Sequence, residues 1–204
     1  MQRSKTTNKP EAVPLRRDIP TEKGCVVLIS DVLRNLENPS YLGSIPAFGF
    51  DMNSFNKLLD GTHPVWATKP VYEGYFPPDK PIEHISVRNG TTPHGKTFEA
   101  TLVTETSEAS TMKVREPNPQ YIGFEAILMQ EGSVTYNVLK DFNHIEETYT
   151  TEGTPIVLTP GDLLIVPRGV ARQVSKVTLG SKYLYIGDPW SDNDPPKEIT
   201  CGVK

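Results

Sequence analysis

Short hydrophobic runs broken by turn residues dominate the second half of the chain. "FEATLVTET", "STMKVRE", "GFEAILMQEG", "SVTYNVL", "TPIVLTPG", "DLLIVPRG", "ARQVSKVT" and "SKYLYIG" are eight such runs between residues 98 and 187, rich in β-branched and aromatic side chains. No stretch of helical period lies between them, so the pattern predicts antiparallel strands in a sandwich or jelly roll, not a parallel sheet with crossovers. Upstream the pattern is less regular. "GCVVLISDVLRNL" is an apolar run whose period fits a strand or a short helix. Residues 39–97 are dense in Pro, Gly and aromatics, as in "PSYLGSIPAFGFD" and "GYFPPDKP", and turn residues interrupt every candidate element there. "MNSFNKLLDG" is the one helix-like piece, with Asn53 or Ser54 as N-cap and Gly61 as stop.

This pattern divides the chain into a flexible tail over 1–22, an arm over 23–97, a β-barrel over 98–190 and a C-terminal tail over 191–204. The arm is expected to pack on the barrel or on a neighbouring subunit, because its aromatics would otherwise form an aggregating surface. Edge strands also need covering, which makes a homodimer the expected assembly.

With 204 residues the chain can build a core without staples, and 36% hydrophobic with 23% charged residues is the balance of a soluble globular protein. No segment approaches the roughly 18 consecutive apolar residues of a membrane span, so no membrane partner is expected. A net charge of -4 excludes a general nucleic-acid binder, which needs a basic face. Arg3, Lys5, Lys9, Arg16 and Arg17 make the start basic, but Glu11 and Asp18 dilute it and no apolar signal-peptide core follows. Cys25 and Cys201 stand at opposite ends without CxxC spacing. They read as two free thiols in a reducing, cytoplasmic setting.

Turn residues within the β-rich half carry a family pattern. Gly161, Pro167 and Gly169 are spaced as Gly, five residues, Pro, one residue, Gly, and Arg172 follows after two more. Earlier, Glu125 and Gly132 enclose six residues in "EAILMQEG". Gly132 and Gly161 permit tight turns, while Pro167 and Gly169 turn the chain so that residue 172 re-enters pointing inward. In order and separation these residues resemble the two motifs of the cupin family. The resemblance implies an all-β, cupin-type double-stranded β-helix, or jelly roll, with an N-terminal arm containing little helix.

The metal ligands that the family implies are where the chain departs from it. Two histidines before the glutamate would fall on Asn118 and Gln120, or on Pro119 and Tyr121, and the later histidine is Arg172. A guanidinium cannot coordinate a cation. Of that ligand set only Glu125 is present, so no cofactor is expected. "GFEAILMQEGSVTYNV", "GTPIVLTPGDLLIVPRGVARQVS" and "SKYLYIGDPW" further resemble the N-terminal half of homogentisate dioxygenases, a half that carries no metal in that family.

Strand alternation puts Glu125, Ile127 and Met129 on one inward face, with Arg172 and Val174 on a neighbouring strand. Arg172 with Gln120, Tyr121 and Met129 would then line a site for a small carboxylated or phenolic metabolite. Glu125 would accept a hydrogen bond or serve as a general base, in isomerase, lyase or cyclase chemistry. Equally, Glu125 and Arg172 suit a buried ion pair that only replaces a lost metal. The alternative is a metal-dependent dioxygenase-like enzyme with iron or another divalent ion on a non-standard set, His94, Glu125 and His144. Each of these histidines stands in a polar, turn-rich setting, as do His63 and His84. No phosphate loop, nucleophile elbow or zinc pair occurs in the chain.

Overall fold

Each of the eight β-rich runs after residue 98 contains a strand in the computed structural model, which describes residues 16–21, 24–36, 50–76, 83–106, 113–115, 125–143, 148–167 and 170–187. The strands in chain order are β1 (Arg16–Thr21), β2 (Gly24–Ile29), β3 (Tyr72–Phe76), β4 (Glu83–Thr91), β5 (Thr97–Glu105) and β6 (Lys113–Arg115). They continue with β7 (Glu125–Glu131), β8 (Val134–Asn143), β9 (Thr148–Leu158), β10 (Leu163–Val166), β11 (Arg172–Val177) and β12 (Lys182–Gly187). One α-helix, α1 (Met52–Leu59), and short 3₁₀ turns at Val32–Asn35 and Pro64–Ala67 complete the described elements.

All strand pairs are antiparallel. They form an eight-stranded sheet in the order β1-β2-β10-β7-β12-β5-β4-β3 and a four-stranded sheet in the order β6-β11-β8-β9. Counting β5 to β12 as first to eighth, the larger sheet holds first, eighth, third and sixth, and the smaller holds second, seventh, fourth and fifth. That interleaving of two Greek keys is a jelly roll. The β1–β2 hairpin extends the larger sheet beyond β10, and β4 and β3 extend it beyond β5. Residues before 98 therefore supply four strands of the larger sheet as well as the helix.

Burial on both faces explains the composition of the larger sheet. Along β7, Ile127 and Met129 face the space between the sheets with Val134, Tyr136, Ile156, Leu164 and Val174. Ala126 and Leu128 face the other way, into a second core with Val27, Ile165, Ile186 and the α1 residues Phe55, Leu58 and Leu59. A strand buried on both sides shows no polar alternation, hence the unbroken "VVLI" and "LLIV". In β8, where one face is better solvated, Val134, Tyr136 and Val138 are buried while Thr135 and Asn137 between them are half-buried.

The cap of α1 is Asp51, not the expected Asn53 or Ser54: its Oδ1 accepts from the backbone N–H of Ser54 at 2.7 Å. Gly61, with φ of 81°, follows the C-cap residue Asp60 as expected. Gly132, in the turn from β7 to β8, has φ of 76°, and a Cβ there would lie 2.3 Å from Oγ of the fully buried Ser181. Close approach thus requires glycine as much as the turn does. The expectation of free thiols is corrected at Cys25, which is fully buried on β2 and disulfide-bonded. Cys201 lies outside the described residues. No helix among the described residues is long and apolar enough to cross a membrane.

His63 caps the second 3₁₀ turn, its Nδ1 accepting from the backbone N–H of Val65 at 3.1 Å, and its ring packs on Phe98 with centroids 5.5 Å apart. Burial, and then the nearby Lys57 ammonium, hold its pKa below the ordinary histidine value. The unfolded chain therefore takes up this proton first, so stability is fully present above about pH 6.5 and falls as the pH drops through the folded value. His63→Asn keeps an acceptor at the cap without titrating. Urea unfolding of this variant is expected to show a shallower loss of stability on acidification than the parent, and equal slopes would contradict the assignment.

Candidate site between the sheets

Glu125 opens β7, paired with Val166 of β10 on one side and Gly187 of β12 on the other. Arg172 opens β11, paired with Val138 of β8 and Arg115 of β6. The expectation that they stand on neighbouring strands is corrected. A jelly roll passes successive strands between its sheets, so β11 lies in the opposite sheet and the two side chains meet across the interior. They do meet: Nη1 of Arg172 contacts Oε2 of Glu125, with side-chain exposures of 6% and 19%. This is an ion contact and not an aligned hydrogen bond.

Tyr185 of β12 completes the arrangement. Its hydroxyl donates to Oε1 of Glu125 at 2.7 Å, so both carboxylate oxygens are engaged, one by a cation and one by a phenol. Two residues along the same strand face, Tyr183 donates to Oε1 of the buried Glu105 at 3.0 Å. Nε of Arg172 is buried and has no hydrogen-bond partner among the described residues. A guanidinium N–H left without an acceptor in a buried site costs roughly 1–3 kcal/mol or more, because its hydration has been lost without replacement.

A cavity of about 320 Å³ opens beside this cluster. Its polar wall includes Glu99, Thr101, Tyr136, Arg172, Tyr183 and Tyr185, and its apolar wall includes Phe76, Val87, Val103 and Ile127. Glu125 is not among the described residues that line it, but its two partners Arg172 and Tyr185 are. Met129 shares its face with Glu125 and is fully buried in the core, away from the cavity wall. Gln120, Tyr121 and His144 lie outside the described residues. His94 is exposed in the hairpin turn between β4 and β5, where Gly95 N–H donates to the Thr92 carbonyl.

These surroundings do not fit the metal that the cupin resemblance implies. The position that would carry a histidine ligand carries a guanidinium, and that guanidinium occupies the one family carboxylate. Among the described residues no group of three or more His, Cys, Asp or Glu side chains could hold a metal ion.

The motif spacing led to Glu125 and Arg172 but passed over the tyrosines. Tyr183 and Tyr185 in "SKYLYIG" alternate along one strand and so share a face, a signal that was available. Tyr136 in "SVTYNVL" follows the same rule, being flanked two residues away by the buried Val134 and Val138.

No family model matches the chain, and no curated protein matches it. Among solved structures it is similar to Streptomyces albus HEPD with 2-hydroxyethylphosphonate and Fe(II) bound, at 16% identity and a TM-score of 0.41, over 59% of this chain and 24% of that one. It is also similar to the Clostridium difficile EutQ protein, at 12% identity and 0.35, over 63% of this chain and 82% of that one. KdgF from a Halomonas species is similar at 16% identity and 0.37, over 59% and 98%. The chain spans about a quarter of the HEPD chain. At these scores the likenesses carry no function to this chain, and the jelly roll rests on its own strand order.

Arg172→Met leaves the Glu125 carboxylate without its cation. It is expected to lower stability by about 2–4 kcal/mol in urea unfolding, toward the lower part of the range for breaking buried pairs because Glu125 keeps 19% exposure. Adding Glu125→Gln is expected to restore at least about half of that loss. Strictly additive losses across the two single variants and the double variant would show that the residues do not act as a pair.

Proposed function

We propose that the chain is a cupin-fold protein that binds a small phenolic or carboxylated metabolite between its sheets, with Arg172 standing where the family's metal would be. The observation that carries this reading is a cavity of about 320 Å³ whose wall brings the Arg172 side chain together with Tyr136, Tyr183 and Tyr185. That volume lies in the range of small-molecule sites, and the wall combines apolar surface with a few convergent polar groups.

Acid-base chemistry at this site would run through Tyr185. Tyr185 lines the cavity and donates to Glu125, so a proton taken from a bound molecule would reach the phenol oxygen while the phenol proton passes to Oε1 of Glu125. Atoms and charge balance in that relay, and isomerase, lyase or cyclase reactions need nothing more from the protein than such a proton transfer with an oriented substrate. The sequence motifs that resemble the N-terminal half of homogentisate dioxygenases carry no ring-opening chemistry to this chain.

Thermal unfolding with a panel of single-ring phenols and small carboxylates tests the binding reading. A true ligand at about a hundred times its Kd stabilises the folded chain by roughly 2.7 kcal/mol, a shift of several degrees. At least one member is expected to shift wild type by that much and to shift Arg172→Lys much less, since a lysine keeps the charge but lacks the planar guanidinium that lines the cavity. Equal shifts in both proteins, or none in wild type, would contradict it.

A further inference from the structure

The charge state of the ligand follows from how Arg172 is already used. Resting on the reading of the cavity as a binding site, we infer that it selects a neutral, hydroxyl-bearing aromatic molecule and discriminates against the corresponding carboxylate. The guanidinium bears one positive charge, and Glu125 matches it at Nη1. The two groups form a pair that is neutral as a whole.

An incoming carboxylate faces two unfavourable routes. It can displace Glu125 from the guanidinium, which strands a carboxylate of 19% exposure without its cation and breaks an ion contact that Tyr185 reinforces from the other oxygen. Alternatively it can share the guanidinium with Glu125, which sets two carboxylates on one cation in a cavity whose wall also carries Glu99. The tyrosines do not relieve this. Tyr183 and Tyr185 commit their hydroxyl protons to Glu105 and Glu125, so neither has a proton to offer an anion.

A neutral phenol meets neither penalty. It does not compete for the guanidinium charge, its own O–H can donate to the Glu99 carboxylate on the wall, and its ring lies against Phe76, Val87 and Ile127. The Glu125–Arg172 pair is then a specificity device: the carboxylate that neutralises the guanidinium also excludes other carboxylates from it.

Isothermal titration of the full chain with matched probes tests this. The pairs are para-cresol against para-hydroxybenzoate, and catechol against protocatechuate, at neutral pH. In wild type the neutral member of each pair is expected to bind at least roughly tenfold more tightly, the scale set by placing like charges together. Glu125→Gln keeps an acceptor for Tyr185 and releases the guanidinium charge, so it is expected to reverse the order in favour of the carboxylates. If that variant fails to fold, the wild-type order still decides. Carboxylates that bind wild type as well as or better than their neutral partners overturn the inference and leave the cavity as a binding site. Absence of binding by all four probes removes the binding reading and the inference together.

Discussion

One ion contact, between Arg172 of the smaller sheet and Glu125 of the larger, sets the chemistry of this molecule. It crosses the interior of a jelly roll, from one sheet to the other. A charge pair there is acceptable only because each member is satisfied by the other and Tyr185 holds the second carboxylate oxygen. The remaining imbalance is the Arg172 Nε–H, buried without an acceptor among the described residues, while the same side chain lines the cavity between the sheets. Arg172 thus joins the sheets through Nη1 and forms part of the cavity wall.

The rest of the architecture serves to hold those two strand starts in place. Glu125 and Arg172 are each the first residue of a strand, where the pleat begins to dictate side-chain direction. Behind Glu125, the larger sheet is clamped between two apolar cores, with α1 packed on its outer face. The turn from β9 into β10, the strand that pairs with Glu125, is fixed by Gly161 in a left-handed conformation and by Asp162, whose Oδ2 accepts from both the N–H and the hydroxyl of Thr159 at 2.8 Å. A site built on such elements keeps its geometry without a metal to organise it.

Much of this was legible in the residues themselves, and the failures have physical causes. Half-buried strands such as β8 announce themselves by alternation, and turn glycines with positive φ mark the corners, so the jelly-roll strands could be read in order. The strands before residue 98 were obscured. β2 is buried on both faces and so has no alternation to read. β4 runs through Asn89 and Gly90, which look like a turn; Gly90 is there because the ring of Phe98 would lie 2.3 Å from a Cβ at that position. At the site, spacing singled out Glu125 and Arg172 as inward-facing but could not say that they approach from opposite sheets, since that depends on strand exchange over the whole barrel. Nor could it show that Tyr185 holds the second oxygen of Glu125, a consequence of packing in three dimensions.

The most direct measurement is a crystal structure of the full chain grown with excess manganese, with anomalous data collected to locate the ion. The account expects the Arg172 guanidinium on the Glu125 carboxylate, Tyr185 on its other oxygen, and no anomalous density between the sheets. An ion coordinated by Glu125, with Arg172 turned away from it, would contradict the account at its centre.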